Sequence, residues 1–526
     1  MKSPIIIGTR GSELALWQAN FTKNELEKNG IKAELKIIKT KGDTTQQWNT
    51  SFNKLEGKGF FTKELEDELL AGTIDLAVHS CKDLPTEYPI GLTIAAYSKR
   101  ANPFDILIIR KDKMDETKVL KLPVNAIVGT SSARRKAQLL AFRKDIVLND
   151  IRGNVPTRIN KLRNQEFDAI VLAAAGVERL SINLEEFVVI ELKAPMFVPA
   201  PAQGVLAFQI RENDLEMIDI CKILNDEDSH TITKIERDLL HDFEGGCQIP
   251  LGVFSKKEKD LVHTWISYAD AWNAIPKRMH LVDSEANVFS SLSRNQIVQK
   301  LKNHQPTSVF ISSDLSDDEY LVRVLKSHNY KVNYESLIEF KSMDFTQPND
   351  ADWLFFSSKN GVKYFFNSLI QQFTHSTIKI AAINQGTAQA IYELGLKVDF
   401  IGNGSDLQKI AQDFDAIASG KIVFPQAKKS MQSIQNNLTK NKNVESLIVY
   451  HNQPKSTIEK RSEAVLIFTS PMSVEAYFTK YTLENFQQII SIGKTTSKKL
   501  HEFSLKNIKT AYEPSNWCLI DEVMNI

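Results

Sequence analysis

The sequence predicts an α/β chain of several domains, and three observations carry that expectation. Short apolar runs alternate with amphipathic helical stretches through the N-terminal part, the pattern of strands covered by helices. The 526 residues correspond to roughly three to five domains at about 100 to 200 residues each. The C-terminal part repeats itself at a spacing of about 110 residues, which points to two related lobes.

Each element follows from its local pattern. Ile5 to Ile7, Glu34 to Ile38, Ile74 to Val78, Ile106 to Ile109, Ala126 to Val128 and Ala169 to Leu172 read as strands. Leu14 to Glu27, Lys63 to Leu70 and Ala133 to Phe142 show helical spacing. Asp283 to Gln305 is softer and holds a helix that ends at Asn303-His304-Gln305, because Pro306 disfavours its continuation. A strand then begins at Ser308-Val309-Phe310-Ile311, so a major boundary lies near 303–307. Beyond it, Trp353 to Val362 overlays Val465 to Val474, and Ala381 to Ala388 overlays Ile490 to Ser497. Each copy reads as buried strand, Ser/Thr turn and helix. Hydroxyls and amides at a helix start suit an anion, although Ser357, Ser358, Thr469 and Ser470 equally suit plain helix caps.

Composition excludes several classes. With 42% hydrophobic and 25% charged residues and a net charge of +1, no overall field draws the chain to nucleic acid or membrane, so any basic site is local. The Ile5-Ile6-Ile7 run is too short for a signal peptide, and no window nears the roughly 18 apolar residues of a membrane span. A cytoplasmic protein is expected. Cys81, Cys221, Cys247 and Cys518 are widely spaced without a CxxC pair, which argues against a disulfide framework and a zinc site; no metal is expected.

Chemistry concentrates in a few turns. Ala126-Ile127-Val128 runs into Gly129-Thr130-Ser131-Ser132-Ala133-Arg134-Arg135-Lys136, which joins amide donors at a helix start to guanidinium forks. Cations there oppose the helix dipole and call for a compensating anion, unless the run is a solvated basic face. Arg10, Arg152 and Arg158 punctuate further turn-like sequences. Neither Gly8-Thr9-Arg10-Gly11-Ser12 nor Gly57-Lys58-Gly59 is a nucleotide-binding loop. His79-Ser80-Cys81-Lys82-Asp83 leaves a buried strand, and a carboxylate beside a lysine can move a proton or stabilise a developing cation. The plainer readings are a surface Lys–Asp pair and a hydrogen-bonded core histidine. Cys247, on Gly245-Gly246, is either a packing thiol or a tether left accessible by the bare backbone before it.

Taken in order and spacing, Gly8 to Ser12 with Leu14 to Gln18, Lys41-Gly42-Asp43, Gly57-Lys58-Gly59-Phe60, His79 to Asp83, Gly129 to Arg135, Arg152-Gly153-Asn154, Ala202-Gln203-Gly204 and Glu244 to Pro250 resemble the porphobilinogen deaminase family, the hydroxymethylbilane synthases. The resemblance implies two periplasmic-binding-protein-like lobes and a small α/β third domain, at 1–98 with 203–220, 99–202 and 221–302. It implies a dipyrromethane cofactor joined to Cys247 by a thioether, four porphobilinogens added with loss of ammonia, and hydrolytic release of the linear tetrapyrrole. By motif position, Asp83 would steer protonation and stabilise azafulvene and pyrrole cations. Lys82, Thr130, Ser132, Arg134 and Arg135 would hold cofactor acids with it, and Arg10, Ser12, Lys58, Arg152, Arg158 and Gln203 would serve the substrate. Cys81 departs from the usual methionine or leucine, as a packing change.

Ser336 to Phe340, Phe355 to Val362, Ile448-Val449-Tyr450, Phe468 to Ser473 and Ile492 to Thr496 resemble the uroporphyrinogen-III synthase family. After a linker at 303–307, this implies a two-lobed unit, 308–342 with 452–526 and 343–451, that closes the linear tetrapyrrole with inversion of the last ring. Tyr450 would assist loss of the hydroxyl as water, and Ser470, Thr495 and Thr496 would bind side-chain acids. Ser312-Ser313-Asp314 replaces the usual Thr-Arg-Pro, and Asn384 stands where Gly493 suggests glycine. These departures leave a degenerate cyclase open. The rival readings are a two-lobed anion-binding protein for the first half and receiver-like or sugar-binding lobes for the second. Porphobilinogen and hydroxymethylbilane are the expected partners of a monomer, with no nucleic acid or membrane.

Overall fold

The structure, a computed structural model, describes residues 4–39, 62–243, 249–284, 291–303, 305–367, 377–402, 406–439 and 443–526. Lys58 and Cys247 therefore lie outside the described residues, as do Lys41 to Asp43. The chain forms two compact units: Met1–Met114 with Leu122–Gln305 and Ile520–Ile526, and Asp115–Lys121 with Pro306–Leu519.

In the first unit, parallel strands Ala33–Ile37, Ile5–Thr9 and Leu76–Ser80 are followed across the sheet by Leu206–Arg211 and Leu92–Tyr97. The late strand Leu206–Arg211 lies between two early ones because the chain leaves after Tyr97, builds a second sheet and returns. That second sheet runs Val147–Asn149, Ile127–Gly129, Ala169–Ala173, Asp105–Arg110, Phe187–Leu192. Each sheet forms the core of its own α/β lobe. The apolar runs read from the sequence fall on their strands, and helices Glu13–Lys28, Lys63–Leu70 and Ala133–Phe142 occupy the stretches with helical spacing.

The outgoing and returning segments lie side by side. The Ala101 N–H donates to the Gly204 carbonyl at 3.1 Å, and Ser98 N–H to the Leu206 carbonyl at 3.0 Å. Gly204 has φ +92°, and a Cβ there would sit 2.7 Å from the Ala101 carbonyl oxygen, so only glycine fits. The third part of the unit is a meander of Leu251–Glu258, Leu261–Tyr268 and Lys277–Ser284, with helix Glu227–Asp242 packed on it through Ile235, Leu239, Leu251, Val253 and Ile266.

That helix also reaches the crossing segments through Glu236. Its fully buried carboxylate accepts from both terminal nitrogens of Arg100, at 2.7 and 3.1 Å, and from the N–H groups of Ala202 and Ser255, each at 2.6 Å. Arg100 in turn donates from Nε to the Gln203 carbonyl at 2.9 Å. One carboxylate thus joins both crossing segments, the helix and the meander.

Ile520–Ile526, placed by the sequence with the last lobe, belongs to the first unit. Arg278, on the strand Lys277–Ser284, is buried and pairs with the equally buried Asp521 at 2.9 Å. A buried guanidinium requires such a counter-charge.

The second unit has two sheets. One is wholly parallel in the order Lys331–Tyr334, Ser308–Ile311, Val465–Phe468, Gln488–Ser491, Lys509–Thr510. The other runs Ile338–Ser342, Asn443–Pro454, Lys421–Ala427, Trp353–Phe356, Lys379–Ala382, Phe400–Ile401. Ile338–Ser342 and the end of Asn443–Pro454 form an antiparallel ladder, with Ile338 opposite Pro454 and Ser342 opposite Tyr450. The two overlaid sequence repeats occupy equivalent strand–turn–helix positions, one in each sheet.

Removing one member of a buried ion pair costs about 3–5 kcal/mol, because the other charge is left uncompensated. Glu236→Gln is therefore expected to lower the thermal midpoint of the first unit by several degrees in calorimetry, leaving the transition of the second unit unchanged. A shared, unchanged midpoint would contradict this role.

Candidate functional site

The site of the first unit is assembled at strand ends. Strand Leu76–Ser80 is buried until Ser80 and then turns through a single 3₁₀ turn, Cys81–Asp83. Cys81 is fully buried and burial pushes its thiol up to about 11, so it packs as a small apolar group. Lys82 is half-buried and Asp83 exposed. Burial lowers the pKa of the Lys82 ammonium, while the Asp83 charge raises it. His79 is buried and its Nε2 donates to Gln209 Oε1 at 3.0 Å. Burial, reinforced by the Arg10 charge and opposed by that hydrogen bond, brings its pKa down to about 4. His79 is thus a neutral core side chain near pH 7, and the site's proton chemistry falls to other groups.

Across from this turn, Gly129 ends a strand and Ser132 caps helix Ala133–Phe142, its Oγ accepting from Arg135 N–H at 3.4 Å. Thr130 is buried, with Oγ1 accepting from Ser132 N–H at 3.3 Å. Arg134 and Arg135 are not a solvated basic face. Both are buried against Asp105, with Arg134 Nη1 2.7 Å from Oδ2, and Arg135 Nε and Nη2 3.0 and 2.6 Å from Oδ1. Burial alone would raise the Asp105 carboxyl, but the two guanidinium groups outweigh it and hold it well below the usual range. Gln203 completes the cluster. Its Nε2 donates to Asp105 Oδ1 at 3.1 Å, and its Oε1 accepts from Lys82 Nζ at 3.3 Å. A polar chain therefore runs from Lys82 through Gln203 and Asp105 to both arginines.

Arg158 lies near the same point. Burial and the charge of Arg135 lower its pKa to about 10, against an opposing contribution from Asp83. Its Nε donates to the Gly153 carbonyl at 2.8 Å, and Arg152 beside that turn is half-buried. Ser12 caps helix Glu13–Lys28, with Oγ accepting from Ala15 N–H at 3.4 Å. The structure thus brings together Lys82, Asp83, Arg134, Arg135, Arg158 and Gln203. Thr130 and Ser132 lie on the same turn as the arginines, and Arg10 is close enough to His79 for its charge to act there. The excess of cations around a buried helix start suits a ligand with several carboxylates, which is what a dipyrromethane bearing acetate and propionate groups requires.

Sequence reading missed Asp105, Glu236 and Arg237. The available signal for Asp105 was a carboxylate heading a strand, Asp105–Arg110, whose next four residues are all buried.

A porphobilinogen deaminase of a Nitratiruptor species is 49% identical over 249 residues, which cover 47% of this chain and 77% of that relative. The chain belongs to the porphobilinogen deaminase family. The porphobilinogen deaminase of Syntrophomonas wolfei subsp. wolfei is 44% identical over 259 residues, covering 49% of this chain and 82% of the relative. Residues 5–219 match the family model described as porphobilinogen deaminase, dipyromethane cofactor binding domain. Residues 319–521 match the model of uroporphyrinogen-III synthase HemD. A solved uroporphyrinogen-III synthetase from Helicobacter pylori 26695 is 23% identical with a TM-score of 0.32, covering 41% of this chain and 97% of its own. A porphobilinogen deaminase domain and a uroporphyrinogen-III synthase domain thus follow one another in one chain, which sets aside the anion-binding and receiver-like readings.

In the synthase domain, Tyr450 is buried on strand Asn443–Pro454, its hydroxyl 3.4 Å from Ser358 Oγ and its ring stacked on Tyr364 at 5.3 Å. Burial raises its pKa, so the phenol keeps its proton through the neutral range. Ser358 caps helix Lys359–Phe366 and Ser470 caps helix Pro471–Phe478, each accepting from an N–H three residues on at 3.1 Å. Both helices pack on the strand that carries Tyr450. In the first turn of helix Lys494–Glu502, Thr495 is exposed and Thr496 buried. Gly493 caps that helix without a side chain, whereas Asn384 accepts from Thr387 N–H at 2.9 Å, so the asparagine does the capping that a glycine leaves to other groups.

Asp105 supports a pH prediction. A carboxyl held lower in the folded than in the unfolded chain contributes stability that is present above about pH 4 and lost as pH falls further. Asp105→Asn is expected to lose about 3–5 kcal/mol at pH 7 and to show a flatter acid limb than the wild type. Thermal midpoints of the first unit measured across the acid range check both.

Proposed function

We propose that the chain makes hydroxymethylbilane from four porphobilinogens, releasing ammonia, and closes it to uroporphyrinogen III, with both steps in the cytoplasm. The observation that carries the first half is an exposed carboxylate, Asp83, whose charge acts on both Lys82 and Arg158. The domain limits proposed are 1–98 with 203–220, 99–202 and 221–302 for the deaminase, 303–307 for the linker, and 308–342 with 452–526 and 343–451 for the synthase, except that 520–526 pack with the first unit.

Cys247 is the proposed thioether anchor of a dipyrromethane, which when bound supplies the nucleophilic pyrrole carbon on which the chain grows. Thr130, Ser132, Arg134, Arg135 and Lys82 bind its acid groups. Arg10, Ser12, Arg152, Arg158, Lys58 and Gln203 orient the incoming porphobilinogen. Asp83 holds or accepts the proton at the pyrrole nitrogen side of the reacting centre, and its negative charge stabilises positive charge developing there. Lys82 beside it holds a cofactor acid group, the Asp83 charge favouring its ammonium form against burial.

In the second half, Tyr450 donates a proton to the departing hydroxyl, with Ser358 orienting the phenol. Ser470, Thr495 and Thr496 hold side-chain acids and keep the linear molecule folded. The linear product closes unaided to the wrong isomer, so a second site on the same chain has physical value. A short flexible connection raises its effective concentration to roughly millimolar.

The test is the product formed from porphobilinogen by the intact chain. Uroporphyrinogen III is expected, and the type I isomer alone would remove the synthase assignment. Cys247→Ser is expected to lack the dipyrromethane mass seen in the wild type and to make no bilane; persistent synthesis would overturn the anchor. Tyr450→Phe is expected to slow ring closure on the order of 100-fold, shifting the isomer ratio toward type I without changing the rate of porphobilinogen consumption.

A further inference from the structure

We propose that Arg237 is a positioning residue for Asp83; this rests on the reading of Asp83 as the group that handles the proton. A single 3₁₀ turn has too few internal hydrogen bonds to hold its own geometry, and Cys81–Asp83 is only that long. The guanidinium of Arg237 supplies the missing support. Nη1 donates to the carbonyls of Cys81 and Leu84 at 3.1 and 3.4 Å, and Nη2 donates to the Pro85 carbonyl at 2.5 Å and to the Tyr88 hydroxyl at 2.8 Å. These acceptors lie on both sides of Asp83 in the chain. All four are neutral oxygens, so this buried cation directs its fork at the turn.

The guanidinium carbon also lies 5.6 Å from the Tyr88 ring centroid, a cation–π contact that fixes the plane of the fork. Arg237 follows Glu236 on helix Glu227–Asp242. Glu236 ties that helix to the segments crossing between the lobes, and Arg237 ties it to the Asp83 turn. The carboxylate is thereby registered against the crossing segments, and so against Gln203 and the arginine cluster beyond. The same helix ends at Asp242 and is capped by Phe243, after which the sequence runs on to Cys247. Lysine cannot replace this arrangement, because a point-like ammonium lacks the planar fork that spans four oxygens.

The experiment compares wild type, Arg237→Lys, Tyr88→Phe and Asp83→Asn as full-length proteins, each confirmed by intact mass to carry its cofactor. Misplacing a reacting group by about 1 Å can cost about 100-fold, so Arg237→Lys is expected to lower kcat for porphobilinogen consumption about 10- to 100-fold. KM is expected to stay within about threefold, because the groups assigned to substrate acids are untouched. The pH dependence of kcat should also shift, since the surroundings of Asp83 change. A kcat within about twofold of wild type, with an unchanged pH profile, would overturn the role even if the thermal midpoint fell. If Arg237→Lys does not fold, Tyr88→Phe decides, because it removes one acceptor and keeps the guanidinium. A fall in kcat of about threefold or more at constant KM supports the proposal, and a smaller one overturns it. Asp83→Asn separates the parent reading. Wild-type turnover in that variant would remove Asp83 from the chemistry, whereas slow Asp83→Asn beside normal Arg237→Lys would overturn only the positioning role.

Discussion

Burying a carboxylate away from water is tolerated only where donors surround it, and the first unit meets that demand at two points on the path between its sheets. Glu236 takes two donors from Arg100 and two from backbone N–H groups of different segments. Asp105 takes three from Arg134 and Arg135 and one from Gln203. Each cluster satisfies its charge only when segments remote in the chain are docked together. Local geometry at the site is consequently inseparable from docking of the lobes and the third part of the unit. The Asp105 cluster also reduces the positive charge of the arginine pair without abolishing it, leaving Arg158 and Lys82 nearby with pKa values already lowered by burial. An excess of cations that is costly for the empty protein becomes favourable when a multiply charged acid binds.

The synthase domain follows a different logic. Its groups are hydroxyls and backbone amides at the starts of helices, set beyond the carboxyl ends of parallel strands. Tyr450 sits on the strand that enters the antiparallel ladder with Ile338–Ser342, where Ser358 and Tyr364 hold its phenol. Such a surface suits a flexible polyacid that must be folded more than it must be activated, because neutral donors orient carboxylates without the desolvation cost of paired ions.

Much of this architecture is legible in the sequence because it is local. Fully buried strands such as Ile106 to Ile109 appear as uninterrupted apolar runs, and helix Ala133–Phe142 announces itself by the hydroxyls at its start. Ser358 and Ser470 are readable as caps, and both are caps. The meander from Leu251 to Ser284 is less visible, since its strands mix polar residues such as Ser255, His263, Thr264, Arg278 and His280 among their apolar ones. Likewise the chain pattern shows paired arginines at a helix start, but not that they face Asp105, about 30 residues upstream. Ion pairs formed across a fold leave no fixed spacing.

The sequence by itself determined the α/β class, the order of motifs that places the chain in its families, and the turns from which the site is built. Those features depend on periodicity, caps and residue type, which act over a few neighbouring residues. Only the tertiary structure decided that His79 is a neutral core group, that Asp105 commits the arginine pair, that Ile520–Ile526 completes the first unit, and that Arg237 grips the turn bearing Asp83. Each of these depends on which charge or donor meets another after distant segments have packed, and burial then sets what that meeting is worth.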